Sequence, residues 1–501
     1  MPRLIPCENR QPGNWLATVL MMVLALFMLV GAGRLAAEPI AWEHIENPLV
    51  RAAQFDLLMG DPFVALTKLK ADQLQGRIKD QPAQLQLVLG GMYLAYGAHH
   101  KAAEMFTALG ESDQPQQLRD LAWLRLAQVQ HQRGESDKAL ATLERIVTVL
   151  PSQAQQERLL LISMLLMQQQ RFDEAVTYLR QLGQKSLVQQ LSEKSVWATY
   201  GRFNLGVALF LQGNEEEGSK LLEELGATPA DTEESRALRD KANLTLAYHY
   251  LSKEDPERAQ TYFLKTRLQG PMANKALLGL GRVYSLKQQH KKSLVPWLKL
   301  VKQDPSDPAV QDGLLAVPYA FGQLDAFKQA LQYYQQALAA FKNEMEQVKQ
   351  AQASVQSGAL VDKLVRVVGK QEEAEHWSLT ELPNTPGGRY LWQLFTTNEF
   401  QETLNNYAQL RLSLGHLEQW SSEIDANRDL SPEQRQKLNA KVLALQSKSI
   451  GMVDRLQEHL KLLALEELDK RKQRLLGYAG EARFSMAQIY DYAAKRWGGD
   501  K

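Results

Sequence analysis

The sequence predicts an all-α chain: a solenoid of about eight stacked helix pairs over residues 46–342, followed by a C-terminal helical hairpin or coiled-coil region. Three observations carry this. A set of small and large apolar residues recurs in a frame of 34 residues, a period typical of helix-pair repeats. Asp-Pro and Gly-containing turns punctuate that frame where helices must start and stop. Beyond Ser431-Pro432, apolar residues recur at alternating steps of four and three.

Composition bounds the function classes. With 45% hydrophobic and 23% charged residues over 501 positions, the chain has the make-up of a folded protein rather than a disordered one. Lys and Arg total 58 against 57 Asp and Glu, so the net charge of +1 supplies no electrostatic pull on nucleic acid. The single cysteine, Cys7, excludes a disulfide framework, a cysteine zinc site and an iron–sulfur cluster.

Residues 1–37 read as a signal peptide or an N-terminal membrane anchor. No charge occurs from Gln11 to Gly33, and the apolar core at 16–30 is 15 residues long. That is the upper end for a signal peptide and short for a membrane span. Arg3 and Arg10 precede the core, and Arg34, Glu38, Glu43 and Glu46 follow it. The positive-inside rule then leaves the N-terminus in the cytoplasm and sends the body across. Gly31-Ala32-Gly33 offers small residues for cleavage, and Ala37 offers a second place. Uncleaved, residues 15–33 would anchor the chain in the inner membrane by tilting and snorkelling. Cys7 stands before the apolar run, not after it as a lipoprotein cysteine would, so the exported body is cysteine-free.

The repeat region, 46–342, comes next. From Asp120 to Gln153, the residues Trp123, Leu126-Ala127, Gly134, Ala139, Leu143, Ile146 and Pro151 stand at offsets 4, 7, 8, 15, 20, 24, 27 and 32. Further copies are Leu89-Gly90 with Tyr93, Ala102 and Phe106; Leu205-Gly206 with Leu209, Gly213, Gly218 and Leu222; and Leu246-Ala247 with Tyr250, Ala259, Phe263 and Pro271. Leu277, Leu280-Gly281, Tyr284, Trp297, Leu300 and Pro305 follow after 34 residues. Weaker copies centre on Ala65, Ala175 and Ala330. Small residues at offsets 8 and 20 let the two helices of a unit approach, large ones at 4, 11 and 24 fill the gap between units, and Pro at 32 ends the second helix. Asp61-Pro62, Asp255-Pro256 and Asp307-Pro308 place an N-cap before an N1 proline.

This pattern resembles the tetratricopeptide repeat, W-x2-L-G-x2-Y, then A-x3-F, then P; in the 120–153 copy Gln130 replaces the Tyr and Leu143 the Phe. The resemblance implies a TPR-like α-solenoid, a right-handed superhelix whose units cannot stand singly. It also implies a concave groove lined by offsets 2, 5, 9 and 12 of each first helix. Offset 5 reads Val50, Leu87, Leu124, Leu160, Phe203, Leu244, Leu278 and Leu315. At offset 9, Met164, Val207, Tyr248 and Tyr319 are apolar or aromatic, whereas Gln54, Gln128 and Arg282 are not. The inner surface is thus expected to be apolar rather than ionic. Members of the family that clamp a peptide carboxylate use Lys at offset 5, so that role is not implied. Leu124, Leu160, Phe203, Leu244, Tyr248, Leu278 and Arg282 are the candidate partner-binding residues, with Arg282 as an anchor for an acidic group. A partner's amphipathic helix or this chain's own C-terminal region would cover them; in a tight superhelix they would be ordinary core.

Residues 343–388 are read as a connecting helix, from about Phe341 to Gln371, and a linker with its break at Leu382–Gly388. The C-terminal region, 389–501, opens with a helix capped at Thr397-Asn398-Glu399 and running to about Ile424. Ser431-Pro432-Glu433-Gln434 starts the next helix with a capping box. Its expected seam is Leu438, Val442, Leu445, Ser449, Met452, Leu456, His459 and Leu463. That seam pairs either with the 399–424 helix in a hairpin or between chains. Ala482 to Tyr490 looks like the first helix of one more repeat, a half-unit suited to a terminal cap.

The motifs H-E-x-x-H, G-x-S-x-G and G-x-G-x-x-G and a phosphate loop do not occur, and no cofactor or metal is expected. His99-His100 and His376-Trp377 lack further ligands at suitable spacing, and Glu215–Glu217 suits a helix start. The resemblance implies protein–protein binding without catalysis. Joined to the N-terminal segment, it suggests a scaffold or adaptor in the bacterial periplasm, soluble after cleavage or held at the inner membrane. The alternative is a structural subunit that self-associates through the heptad helix, its groove filled by its own chain.

Overall fold

The computed structural model describes residues 47–59, 62–78, 82–182, 196–359, 390–391, 394, 397–427 and 430–497. The expected targeting segment, the Leu382–Gly388 break and Asp61 lie outside them. Among the described residues there are eighteen helices and no strand. The first sixteen form eight successive pairs: α1 (Pro48–Leu58) and α2 (Pro62–Leu74); α3 (Pro82–Ala95) and α4 (His99–Gly110); α5 (Gln116–Gln132) and α6 (Ser136–Leu143); α7 (Ser152–Gln168) and α8 (Phe172–Leu182); α9 (Val196–Gln212) and α10 (Glu215–Ala227); α11 (Glu233–Ser252) and α12 (Pro256–Lys265); α13 (Ala273–Leu286) and α14 (His290–Leu300); α15 (Pro308–Gln323) and α16 (Phe327–Gln356). Two more follow, α17 (Asn398–Ala426) and α18 (Pro432–Trp497).

The turns inside the seven pairs from α3–α4 to α15–α16 obey one rule. Gly97, Gly134, Gln170, Gly213, Glu254, Gln288 and Asp325 all have φ between 56° and 94°, and all stand at offset 15 of their frame. The next residue closes the helix by donating its N–H to a carbonyl five residues back, as in Ala98 to Tyr93 (2.8 Å), Glu135 to Gln130 (2.8 Å), Asp255 to Tyr250 (2.9 Å) and Gln289 to Tyr284 (2.8 Å). This is the Schellman closure, which satisfies carbonyls that the helix end leaves open. Helix starts follow the sequence signals: Asp255 accepts from the Arg258 N–H, Asp307 from the Ala309 N–H, and Ser431 and Gln434 cap each other reciprocally.

Close approach within a pair rests on the small residues at offsets 8 and 20. A Cβ built on Gly90 would lie 2.5 Å from the Phe106 ring, and one on Gly206 would lie 2.7 Å from Leu222. One on Gly218 would lie 2.9 Å from the Gly206 carbonyl oxygen, and one on Gly281 would lie 2.1 Å from Trp297 Nε1. Ala102, Ala127, Ala139, Ala247 and Ala259 at the same offsets are fully buried.

The described chain divides into two compact units. One holds the residues through Arg158 together with Gln350–Leu468; the other holds Leu159–Lys349 and the residues from Asp469 onward. In the first unit α17 lies along the turn side of three helix pairs. Its Trp420 and His416 meet Phe63, Ser413 bonds Tyr96, Gln409 reaches Gly97, and Glu402 stands beside His99 and Arg133. The α17 and α18 helices form an antiparallel hairpin, with Asn439 donating to Asp425 at 2.7 Å and His459 Nε2 3.0 Å from Glu399.

The hairpin corrects the expected seam. Val442, Val453, Leu460, Ala464 and Leu468 are buried, whereas Leu438, Leu445 and Met452 are 36–51% exposed. The contact stripe is centred about one residue later than the apolar pattern suggests. A helix carrying apolar residues on a broad face does not reveal which part of that face meets its neighbour. The polar helix expected from Phe341 is instead the second half of α16, which starts at Phe327 and keeps Phe341, Val348, Ala351 and Val355 fully buried. It stops where Gly358 turns left-handed at φ 77°.

In the second unit the end of α18 packs as the expected half-repeat. Tyr478 donates to Asp312 on α15 at 2.6 Å, and Ile489 lies 3.9 Å from a Cβ built on Gly322 ten residues later. Against α16 the order reverses: Tyr478 stacks on Phe341 at 5.6 Å, and Tyr492 meets Phe327 at 5.5 Å. So this segment runs parallel to α15 and antiparallel to α16, the geometry of a following first helix. It covers the apolar end of the last pair with Tyr478, Ala482, Ser485 and Ile489.

Candidate partner-binding face

The offset-5 side chains lie in the interior of the described structure. Leu124 on α5 is fully buried, and Leu160 on α7, Phe203 on α9, Leu244 on α11 and Leu278 on α13 are at most 6% exposed. Tyr248 and Arg282 are half-buried. Helical spacing puts offsets 5 and 9 on one face, so each pair repeats the same two-residue signature.

In the first unit Leu124 sits one turn from Gln128, and there the face is polar. Gln128 Nε2 donates to Glu157 at 3.0 Å, and Arg125 Nη1 donates to Gln128 at 2.8 Å and to Glu157 at 3.0 Å. Glu157 stands at offset 2 of the next pair and is buried, so its charge is matched by a buried hydrogen-bonded network.

In the second unit the charges again come from offset 2. Lys241 places its ammonium 5.0 Å from the centroid of the Phe203 ring. Burial, reinforced by the nearby Lys275 cation, pushes the Lys241 pKa down to about 7. Lys275 is lowered too, by burial, with Asp307 opposing. Tyr248 Oη donates to the Lys275 carbonyl at 2.9 Å, and its ring meets Phe263 edge-on at 5.1 Å. Burial pushes the Tyr248 phenol up to about 12, against the Arg282 cation and with the Asp312 carboxylate. Phe203, Tyr248 and Arg282 are therefore brought into one chain of contacts and charges through Lys241 and Lys275. Leu278 belongs to a different cluster, with Trp297, Leu300, Val310 and Val317.

The expectation of an apolar rather than ionic inner surface is corrected by these side chains. Offset 2 reads Glu157, Tyr200, Lys241, Lys275 and Asp312 in five successive pairs. The charge alternates with the apolar offset 5 along the same helix face. Those residues carry the polar contacts of the face, and the signal that finds them is offset 2 of the frame already used for offset 5.

The histidine pair resolves into two different environments. His99 begins α4, half-buried, with Nδ1 3.7 Å from Glu402; His100 is exposed, 3.2 Å from Glu104. Glu215–Glu217 form the first turn of α10, where Glu215 pairs with Lys253 and Glu217 with Arg180. Burial pushes His131 down to about 4. Among the described residues no group of three or more His, Cys, Asp or Glu could hold a metal ion, and no helix is long and apolar enough to cross a membrane. His376-Trp377 lies outside them.

Family models described as tetratricopeptide repeat match residues 244–308 and 121–152, so the chain carries repeats of this kind. No curated protein matches it. Among solved structures, a tetratricopeptide repeat protein from Parabacteroides merdae is 17% identical, covering 54% of this chain and 97% of that one at a TM-score of 0.34. The apo form of RapI is 11% identical over 75% of this chain and 99% of its own, with a TM-score of 0.40. The Cut9–Hcn1 hetero-tetramer of the APC/C is 11% identical over 81% and 96%, with a TM-score of 0.27.

Proposed function

We propose that this chain, with its tetratricopeptide repeats, is a non-catalytic scaffold that binds partner helices or segments in the bacterial cell envelope. One observation supports the binding role above the others: offsets 2 and 9 recur in successive pairs, and Tyr248, Lys275, Arg282 and Asp312 at those offsets stay half-buried, whereas offset 5 is buried core. Rows of this kind suit an extended or helical segment read several residues at a time. The periplasmic placement draws on the sequence of residues 1–37, with delivery by cleavage or by an anchor at 15–33.

The test uses the full chain. Because Phe203 and Leu244 are buried, truncating either would cost about 2–5 kcal/mol of stability and confuse binding with folding. Arg282→Glu reverses a half-buried charge instead. Cross-linking in envelope extracts followed by mass spectrometry should recover a defined partner with the wild type and at least tenfold less with the variant. Equal recovery, or a chain found wholly in the cytosolic fraction, would overturn the reading.

A further inference from the structure

Five residues of α17 that meet the first three helix pairs fall on one face of the helix. Glu402, Gln409, Ser413, His416 and Trp420 fall at steps of 7, 4, 3 and 4, a single stripe on a helix of 3.6 residues per turn. The stripe meets three pairs in order. Phe63 on α2 stacks on the His416 ring at 4.2 Å and 7°, with Trp420 at 6.2 Å. Tyr96 and Ser413 share a hydrogen bond of 2.7 Å, and a Cβ built on Gly97 would lie 3.1 Å from Gln409 Cγ. Glu402 lies 3.7 Å from His99 Nδ1 and 3.5 Å from Arg133 Nε, a carboxylate facing an imidazole and a guanidinium.

Every side chain in this contact is half-buried or exposed. The fully buried residues of α17, such as Phe400, Leu404 and Tyr407, lie on another side of the helix: Leu404 is about 200° around from Glu402. The contact is therefore only partly shielded from solvent, selective in its chemistry and on a different side of the helix from Phe400, Leu404 and Tyr407. Contacts of that kind open at low free energy relative to the fold.

We propose that Phe63, Tyr96, Gly97, His99 and Arg133 form a helix-docking rim, and that α17 is its internal occupant, exchanged for a partner helix that presents a carboxylate, a small hydroxyl eleven residues on and a flat ring three further on. The rim lies on the turn side of the pairs, so this inference does not depend on the offset-5 face. The complementarity of Glu402 to His99 and Arg133 sets the direction in which such a helix docks.

A fluorescent peptide of residues 398–426, held helical by a staple between positions 411 and 415 on the side away from the rim, is the probe. It is titrated into the full chain and into its Ser413→Arg/His416→Asp variant. Both substitutions are on the half-buried stripe, so the fold persists. Amides of 398–426 should exchange at least tenfold faster in the variant, and the peptide should bind the variant at least tenfold tighter than the wild type. Adding Phe63→Asp to the variant should abolish the gain. A Cys7→Ser chain with Gly97→Cys and Gln409→Cys, oxidised to lock α17 down, should lose peptide binding and regain it on reduction. Unchanged exchange in the variant, or faster exchange without peptide binding, overturns the proposal.

Discussion

Glycine to alanine inside a helix is ordinarily stabilising, by about 0.5–1 kcal/mol, because alanine loses less backbone entropy on folding. Gly281→Ala on α13 should reverse that sign. The added Cβ would sit 2.1 Å from Trp297 Nε1 and 2.4 Å from two ring carbons, whereas non-bonded heavy atoms need about 3.5 Å. The indole is 2% exposed, and its Nε1–H donates to the Leu278 carbonyl at 3.1 Å. Moving the ring therefore strains the core, at about 1–3 kcal/mol, and threatens a buried donor worth about 1–3 kcal/mol if left unpaired. After the helix-propensity gain, the net loss is about 1–5 kcal/mol. A 501-residue repeat chain need not unfold in one step, so the measurement is amide exchange in α13 and α14. Protection there should fall roughly fivefold to several-thousandfold. Gly451→Ala on α18 is the control: its Cβ would meet nothing within 4 Å, and it should raise protection instead. If both substitutions stabilise, helix contact through offset 8 is not what holds this pair together.

Two further outcomes follow from the same geometry. Glu254 is exposed and held at φ 56°, so Glu254→Gly should stabilise its pair by about 0.5–1 kcal/mol, while Gly134→Ala at the equivalent turn should cost about as much; urea midpoints of the two variants check the opposite signs. His131 titrates near 4 when folded and near 6.5 when unfolded, so the unfolded chain takes up the proton first as pH falls. Its contribution of about 3 kcal/mol is intact above pH 6.5 and lost between there and 4, and a His131→Gln chain melted across that range should show a shallower pH dependence than the wild type.

Much of the architecture is legible one frame at a time. Gly206 and Gly218 sit where two backbones approach, and Gly90 and Gly281 sit against the Phe106 and Trp297 rings, so no larger residue fits and composition reports contact directly. Gly134 and Gly213 mark left-handed turns in the same way. Gln170, Glu254, Gln288 and Asp325 adopt that backbone without advertising it, because the Schellman closure of the preceding helix outweighs their local preference. The candidate face is legible only in part: offset 5 marks side chains that the fold buries, and the polar contacts come from offset 2, where Glu157, Lys241 and Lys275 stand.

What the sequence determined by itself is what short-range spacing sets: the all-helical class, the eight pairs, their proline-marked caps and glycine-marked turns, and the half-repeat at 482–490. The tertiary structure alone decided the register of the hairpin seam, the burial of Lys241 and Lys275, and the seat of α17 on the first three pairs. The reason is range. A period of 3.6 or 34 residues is written along the chain, whereas the side of a helix that meets a segment some 300 residues away, as Tyr96 meets Ser413, depends on which of several adequate faces packs best.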